Sequence, residues 1–191
     1  MGLSYPLTEA YGNDGHTCYN TAVPENVIKS TFANKDFGFL VQMTREGASG
    51  AVAQSYPCAF LKSTKRPIWA LISFNADYFQ YDVLSVQNAI YVAVHEMTHC
   101  LGFSYLLYDY YPTGKPTKTI DGVDYFVTPE VIREVKRQYG CDTAVGMPLE
   151  TEGSLGTAGT HWSRKVAGSE YMTATVTFPN PTISYITLAL L

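Results

Sequence analysis

The sequence predicts an α+β fold in which several strands precede one long helix, followed by a second half of loops and shorter helices. Two observations support this. Three apolar, β-rich segments precede a helical repeat in the first half, and the second half combines Gly- and Pro-rich loops with shorter helical patterns. With 191 residues, the chain suits one domain, or one domain with two lobes, and can bury about 70% of its extended surface.

Three segments before residue 76 are predicted to be strands. In the first, apolar residues recur at every second position, which is the strand period: Phe37, Phe39, Val41 and Met43. GASGAVAQSYPCAF (47–60) is predicted to form a short strand after a Gly-rich turn. RPIWALISFN (66–75) is almost wholly apolar and typical of a buried strand. Ahead of them, Pro24 is well placed to begin a short helix.

A long helix is predicted after these strands. Asp82 or Ser85 can cap its start, and Gly102 can end it. At 100° per residue, His95 and His99 lie about 40° apart around the helix axis. They occupy a face distinct from the apolar stripe, whose residues recur at steps of three and four: Val86, Ile90, Val94, Met97 and Leu101.

The second half is predicted to contain loops and two further helices. Residues 104 to about 128 are interrupted by prolines and glycines and are predicted to form a loop. A helix then begins with Thr128 as its cap and Pro129 in its first turn and ends at Gly140. Its apolar seam consists of Val131, Val135 and Tyr139. The last helix is predicted from residue 181 or 182.

Composition and charge narrow the classes of partner. The formal net charge is -4 and 46% of the residues are hydrophobic, so a globular protein is expected and nucleic acid is not expected as a partner. No apolar run is long enough to span a membrane, and no signal-peptide or anchor pattern is visible. The four cysteines leave disulfide connectivity open, and Cys100 is expected to be a buried free thiol.

The segment HEMTH (95–99) points to metal chemistry. Histidines four residues apart can give two imidazole nitrogens to one Zn²⁺ at about 2.0–2.1 Å. Glu96 is placed to take a proton from a metal-bound water, whose pKa the metal lowers to about 7. This arrangement is typical of zinc proteases, although two histidines on an apolar helix can also be ordinary core residues. The flanking sequence favours the zinc site.

The residues after HEMTH bear on the third ligand. Gly102 extends the motif to H-E-x-x-H-x-x-G, as in metzincins, which place a third histidine three residues later. That position is Tyr105, so the third ligand must come from elsewhere. His16 is expected to be a loop residue. His161, with Met172 following 11 residues later, gives the metzincin order of a third histidine and then a methionine, with a long insertion.

With these motifs the chain resembles the leishmanolysin-like metallopeptidases of the metzincin clan. The resemblance rests on HEMTHCLGFS, GTHW and EYMT and extends over about residues 20–191, including the strand segments and the C-terminal PTISYITLALL. It implies a metzincin-like zincin fold, with an active-site helix under a twisted mixed sheet. It also implies a zinc-dependent endopeptidase that acts on protein or peptide substrates, outside the cell or at its surface.

The same resemblance implies roles for individual residues. It implies one catalytic Zn²⁺ with three ligands: His95, His99 and His161. Glu96 would be the general base, and Met172 the Met-turn residue beneath the metal. The segment GAVAQ (50–54), with Val52 and Ala53, would be an edge strand that pairs with an extended peptide substrate.

Two positions depart from the family pattern. Ser163 follows His-Trp where an acidic residue is usual, so a carboxylate that orients the ligands is missing. Cys100 stands where a small apolar residue is expected. The family's pro-segment and Cys-rich C-terminal region are not in the sequence. We therefore expect residues 1–191 to be one metallopeptidase catalytic domain from a longer protein, with an N-terminal lobe of about 1–103 and an insertion plus C-terminal lobe of about 104–191.

Two alternatives to the three-histidine endopeptidase remain open. The third ligand could be a carboxylate from Glu130 or Glu134, although Gly102 and Met172 argue against that site. The domain could also be a catalytically inactive zinc-binding surface or adhesion domain that keeps the fold. Intact Glu96 argues against this second alternative, because a domain that only binds does not need a general base.

Overall fold

A computed structural model describes residues 17–19, 21–23, 26, 36–47, 50–61, 64–79, 86–153, 156–175 and 181–191. The described part is α+β, as predicted, and the chain divides into two compact units, Met1–Leu101 and Gly102–Leu191. Its elements in chain order are β1 (Thr17–Cys18), β2 (Thr21–Ala22), β3 (Gly38–Thr44), β4 (Ala53–Phe60), β5 (Pro67–Asn75), α1 (Val86–Leu101), β6 (Thr117–Ile120), β7 (Val123–Phe126), α2 (Pro129–Tyr139), β8 (Met147–Pro148), α3 (Arg164–Ala167) and α4 (Tyr185–Leu188).

The described part of the first unit contains a mixed three-stranded sheet in the order β3-β5-β4. β3 runs parallel to β5, and β4 runs antiparallel to it. Almost every residue of the central strand β5 is buried, which explains its continuous apolar sequence. Pro57, which has no backbone N–H, is tolerated because β4 lies at an edge of this sheet.

Successive residues of β5 face opposite sides of the sheet and build two separate clusters. Ala70 and Ile72 pack with Cys100 of α1 on one side. Trp69 and Leu71 pack on the other side with Cys18 and Cys58, which form a disulfide between β1 and β4. The helix α1 and the disulfide therefore lie on opposite faces of the sheet.

The helix predicted after the strands is present, but its apolar stripe is not its buried face. Val86, Ile90, Met97 and Leu101 are exposed. The helix instead contacts β4 and β5, and its buried residues are Val92, Glu96, Thr98, His99 and Cys100. The stripe thus predicted the helix correctly without marking the side that meets the sheet. The suggested caps Asp82 and Ser85, and nearly all of the helix predicted from Pro24, lie outside the described residues.

The loop predicted for residues 104–128 is in part wrong, because the second unit has a β-hairpin there. β6 pairs with β7 around Asp121 and Gly122, whose φ angles are 50° and 79°. Positive φ at both residues of a two-residue connection is the geometry of a type I′ turn, for which Asp-Gly is a favoured sequence. A 3-10 helix also lies in this segment, at Tyr108–Tyr110.

Strand β8 joins the hairpin by pairing with β7. Gly146, directly before β8, lies so close to β7 that an added Cβ would come within 2.5 Å of the Phe126 carbonyl oxygen. Leu149, directly after β8, donates its backbone N–H to Asp124 O at 2.8 Å. The backbone of residues 146–149 is therefore held tightly against β7.

Of the helices in the second unit, α2 begins and ends where it was predicted, whereas α3 was not predicted. The Thr128 hydroxyl accepts from Val131 N at the start of α2, and Gly140, with φ 63°, ends it. The last helix, α4, begins later than predicted, after Ser184, whose hydroxyl caps it. The core of the second unit contains three fully buried aromatic residues, Phe103, Phe126 and Trp162. No helix among the described residues is both long enough and apolar enough to cross a membrane.

Candidate active site

The helix α1 holds His95 and His99 with their reactive nitrogens adjacent. The two Nε2 atoms are 3.0 Å apart, and the rings are nearly perpendicular. His99 is buried and His95 is half-buried. Two nitrogen ligands about 2.05 Å from a tetrahedral Zn²⁺ lie about 3.3 Å from each other. The spacing of this pair therefore suits two ligands of one zinc ion.

Glu96 lies beside this pair and is buried, with 7% of its surface exposed. Burial raises the pKa of its carboxyl, and the neighbouring His95 opposes the rise. The adjacent thiol of Cys100 is fully buried and free, as predicted, and burial raises its pKa to about 12. At neutral pH this thiol is protonated, so it does not resemble a metal-ligating thiolate.

Ser55 of β4 lies on the same face of the sheet as Cys100, because it pairs with Ile72. It is near enough to lower the pKa of both Glu96 and Cys100. Its hydroxyl oxygen is nevertheless buried without a hydrogen bond of ordinary geometry. Burial is therefore the main influence on the pKa of both groups.

His161 is buried in the segment between β8 and α3. Its Nδ1 lies 2.9 Å from Thr157 O and 3.3 Å from Thr160 Oγ1. A neutral imidazole that donates its Nδ1–H to a carbonyl has Nε2 as its unprotonated nitrogen, which is the usual state of a metal-ligating histidine. The His161 carbonyl also accepts from Glu150 N at 2.8 Å, which fixes the backbone here.

Met172 is fully buried in the second unit and lies close in space to the residue after His161. Trp162 N donates to Met172 O at 3.0 Å, and Trp162 and Thr173 form a parallel bridge. The structure thus brings together the two segments that carry the predicted third ligand and the predicted Met-turn. The 11-residue spacing alone did not establish this proximity.

The remaining predicted residues have less distinctive surroundings. Ala53 is the first residue of the edge strand β4, and Val52 precedes it. Glu130 is exposed, and both carboxylate oxygens of Glu134 accept from arginines of α2, Arg133 and Arg137. His16 lies outside the described residues.

Sequence reasoning assigned no role to Glu170, which is buried near Met172. Its carboxylate accepts from Met172 N at 2.6 Å and from Ser184 and Thr187. Burial raises its pKa, and these hydrogen bonds oppose the rise. The sequence contains one indication of this role: an acidic residue lies two positions before the methionine in EYMT, between segments that form the core.

Comparisons with known proteins agree with this set of motifs. A family model described as Leishmanolysin matches residues 7–191. The chain is 31% identical to a leishmanolysin-like peptidase of Drosophila melanogaster over 202 residues, covering 83% of this chain and 29% of that protein. It is 28% identical to leishmanolysin of Leishmania major over 164 residues, covering 83% of this chain and 26% of that protein.

A vertebrate protein is also similar. The chain is 27% identical to the ciliated left-right organizer metallopeptidase of Xenopus laevis over 186 residues, covering 87% of this chain and 26% of that protein. The chain thus spans 29% or less of the length of each of these three relatives.

Proposed function

Because this chain belongs to the leishmanolysin family of metallopeptidases, we propose that it is the catalytic domain of a zinc-dependent endopeptidase. Membership in the family rests on the match over residues 7–191 and on the Drosophila relative. The family implies a metal, typically zinc. The observation that carries the proposal is the pair of His95 and His99 nitrogens 3.0 Å apart, with the buried carboxylate of Glu96 beside them.

The proposed zinc ligands are three histidines: His95, His99 and His161. Each of them can offer one imidazole nitrogen to a metal ion. Three imidazoles with one open position are a known ligand set of catalytic zinc. The hydrogen bond from His161 Nδ1 to Thr157 O supports Nε2 as its ligand atom. Glu134 is less suited, because Arg133 and Arg137 already engage its two oxygens.

In the proposed reaction, Glu96 takes a proton from the attacking water and later passes it to the leaving amine. When bound, zinc supplies Lewis acidity, which acidifies the water and polarises the scissile carbonyl. A positioned general base contributes about 10²–10⁴-fold to the rate. The peptide bond is cleaved by addition of water, so the reaction requires no reactant besides water and the peptide.

The finer structural predictions form part of the same proposal. We propose a metzincin-like zincin fold in which Met172 lies beneath the zinc site, and in which residues 1–191 form one catalytic domain. The edge position of β4 supports the assignment of Val52 and Ala53 to a strand that pairs with an extended substrate. Strand pairing uses backbone groups and therefore suits protein and peptide substrates of varied sequence.

We also propose that the protein acts outside the cell or at its surface. The disulfide between Cys18 and Cys58 supports this location, because disulfides persist mainly in oxidising compartments. No observation favours the alternative of an inactive adhesion domain, and the presence of Glu96 speaks against it.

The first test compares the parent with Glu96→Gln on an unfolded, carboxymethylated protein substrate, with the zinc content of both measured by mass spectrometry. We expect equal zinc in both and a loss of cleavage of at least about 10²-fold in the variant. Glu130→Gln, an exposed glutamate on α2, is the matched control and should retain activity. Cleavage by Glu96→Gln at the parental rate would refute the proposed base.

The ligand set needs a separate test. His161→Ala should lose zinc under conditions in which Glu134→Gln retains it. Zinc retained at parental affinity by His161→Ala, together with zinc lost by Glu134→Gln, would establish a carboxylate as the third ligand instead. A folded parent without zinc would refute the metal site altogether.

A further inference from the structure

We propose that Glu170 is a positioning residue of this site, which holds the Met172 backbone directly and the Trp162 side chain through Thr187. The inference rests on the proposed function in one respect: it takes His161, the neighbour of Trp162, to be a zinc ligand. Glu170 itself touches neither histidine nor substrate in this assignment. It acts by fixing two backbone segments of the second unit.

Several hydrogen-bond donors converge on the Glu170 side chain. Oε2 accepts from Met172 N at 2.6 Å. Oε1 accepts from Ser184 Oγ at 2.9 Å, from Ser184 N at 3.4 Å and from Thr187 Oγ1. Four donors on two oxygens use the acceptor capacity that a carboxylate offers.

Burial of the Glu170 carboxyl group costs free energy. Glu170 is 4% exposed, and among the described residues none forms an ion pair with it. Taking a carboxylate out of water costs several kcal/mol unless hydrogen bonds compensate. The four donors supply part of that compensation, so the loss of any one of them raises the cost of burying the charge.

A chain of hydrogen bonds leads from Trp162 through Thr187 to Glu170. A hydroxyl has one proton, and Thr187 donates it to Glu170. Thr187 Oγ1 can then accept, and it accepts the indole N–H of Trp162 at 2.7 Å. Trp162 and Thr187 therefore each donate a hydrogen bond in the direction of Glu170. The backbone N–H of Trp162 donates to Met172 O, so the network closes on itself.

These contacts explain why Glu170 affects the position of His161. The indole and the backbone of Trp162 are both fixed, one through Thr187 and the other through Met172. His161 precedes Trp162 by one peptide bond, so its backbone direction follows from that of Trp162. Small displacements of a catalytic group, of about 1 Å, can cost about 10²-fold in rate.

Glu170→Gln is the most direct test because it keeps the size of the side chain. The amide NH₂ must face either Met172 N or the donors from Ser184 and Thr187, so at least one buried donor loses its acceptor. Glu152→Gln is the matched control. Glu152 is an exposed glutamate of the same unit, whose ion pair with Lys165 is 3.8 Å long.

The measurements are zinc affinity by competition with a chelator, kcat and KM on a peptide, and the two indole N–H signals in an NMR spectrum. We expect Glu170→Gln to weaken zinc binding by about 10–100-fold and to lower kcat with KM nearly unchanged. The indole signal of Trp162 should shift in the metal-free protein, whereas that of Trp69 should not. Glu152→Gln should match the parent in every measurement.

Two variants of Thr187 separate positioning from simple loss of folding. Thr187→Ser keeps the hydroxyl and should behave as the parent, whereas Thr187→Val should reproduce part of the loss in zinc affinity. They also test the proposal if Glu170→Gln does not fold.

The proposal is overturned if folded Glu170→Gln has a lower melting temperature but parental zinc affinity, kcat and Trp162 indole signal. A parent that binds no zinc would refute the proposed function instead. In that case the indole signal of Trp162 would still decide whether Glu170 organises the segment next to His161.

Discussion

Removal of the disulfide between Cys18 and Cys58 should destabilise the first unit by about 4 kcal/mol. The bond joins residues 40 positions apart, which are 5.4 Å apart at Cα. In the chain-entropy account, a cross-link that closes a loop of this length restricts the unfolded chain by about 4 kcal/mol at 25 °C. Both cysteines are fully buried beside Trp69, so a change in this cluster has a fluorescent reporter.

The perturbation is the double substitution of Cys18 and Cys58 by alanine. Alanine is preferred because a buried serine hydroxyl without a partner would add its own cost of about 1–3 kcal/mol. The chain has two tryptophans, Trp69 in the first unit and Trp162 in the second. Urea unfolding in a Trp162→Phe background therefore reports on the first unit alone.

The double variant should unfold at lower urea concentration, with a free energy of unfolding about 3–5 kcal/mol below that of the oxidised background protein. The background protein with dithiothreitol should give the same transition. Cys141→Ala removes an exposed free thiol and serves as the control that should change nothing. A loss below about 1 kcal/mol, or an equal loss in the control, would refute the reasoning.

Four further predictions concern other parts of the molecule. Cys141 is exposed in the native protein, and hydrogen bonds from Thr143 lower the pKa of its thiol. A maleimide should therefore modify Cys141 and leave the buried Cys100 unmodified. Modification of both cysteines, detected by mass spectrometry, would contradict this prediction. Phe126→Ala removes the side chain at the centre of the aromatic core and should lower the free energy of unfolding of the second unit by about 3–5 kcal/mol, measured by urea unfolding. A decrease of less than about 1 kcal/mol would show that the core is not cooperative. Because the pKa of Glu170 is raised in the folded protein, its contribution to stability is complete below its ordinary pKa of 4.5 and is lost as pH rises through the folded pKa. The free energy of unfolding of the parent minus that of Glu170→Gln should therefore fall from pH 4.5 towards neutral pH. A difference that does not change with pH would contradict the raised pKa. If zinc binds as proposed, a concentration 100 times its Kd should stabilise the parent by about 2.7 kcal/mol, and a chelator should reverse this in thermal unfolding; an unchanged melting temperature would count against the site.

The regular elements with strong periodicity were predictable from sequence. Strands β3 and β5 and helix α2 follow from alternation, continuous apolarity and caps, all of which are local signals. The hairpin of β6 and β7 was missed although Asp121 and Gly122 announce its turn, because the surrounding prolines and glycines were interpreted as a continuous loop. The stripe on α1 predicted a helix but not its buried side, since that depends on where the sheet lies.

The part of the candidate site that lies within the HEMTH motif was predictable from sequence. His95, Glu96 and His99 lie within one helical turn, so their proximity follows from helix geometry alone. The environment of Glu170 could not be predicted, because its donors come from Met172, Ser184 and Thr187, which only the folded second unit brings together. The pairing of Cys18 with Cys58 was equally open, since four cysteines allow three connectivities.

The close approach of Gly146 to β7 has a consequence for natural variation in this protein. Any side chain there would collide with the Phe126 carbonyl and push β8 away from the hairpin. Leu149 bridges to Trp162, and Glu150 donates to the carbonyl of His161, so the displacement would pass along the backbone to the third histidine. Position 146 should therefore tolerate substitution as poorly as the HEMTH motif, and natural variants that change this glycine should lose the proposed activity.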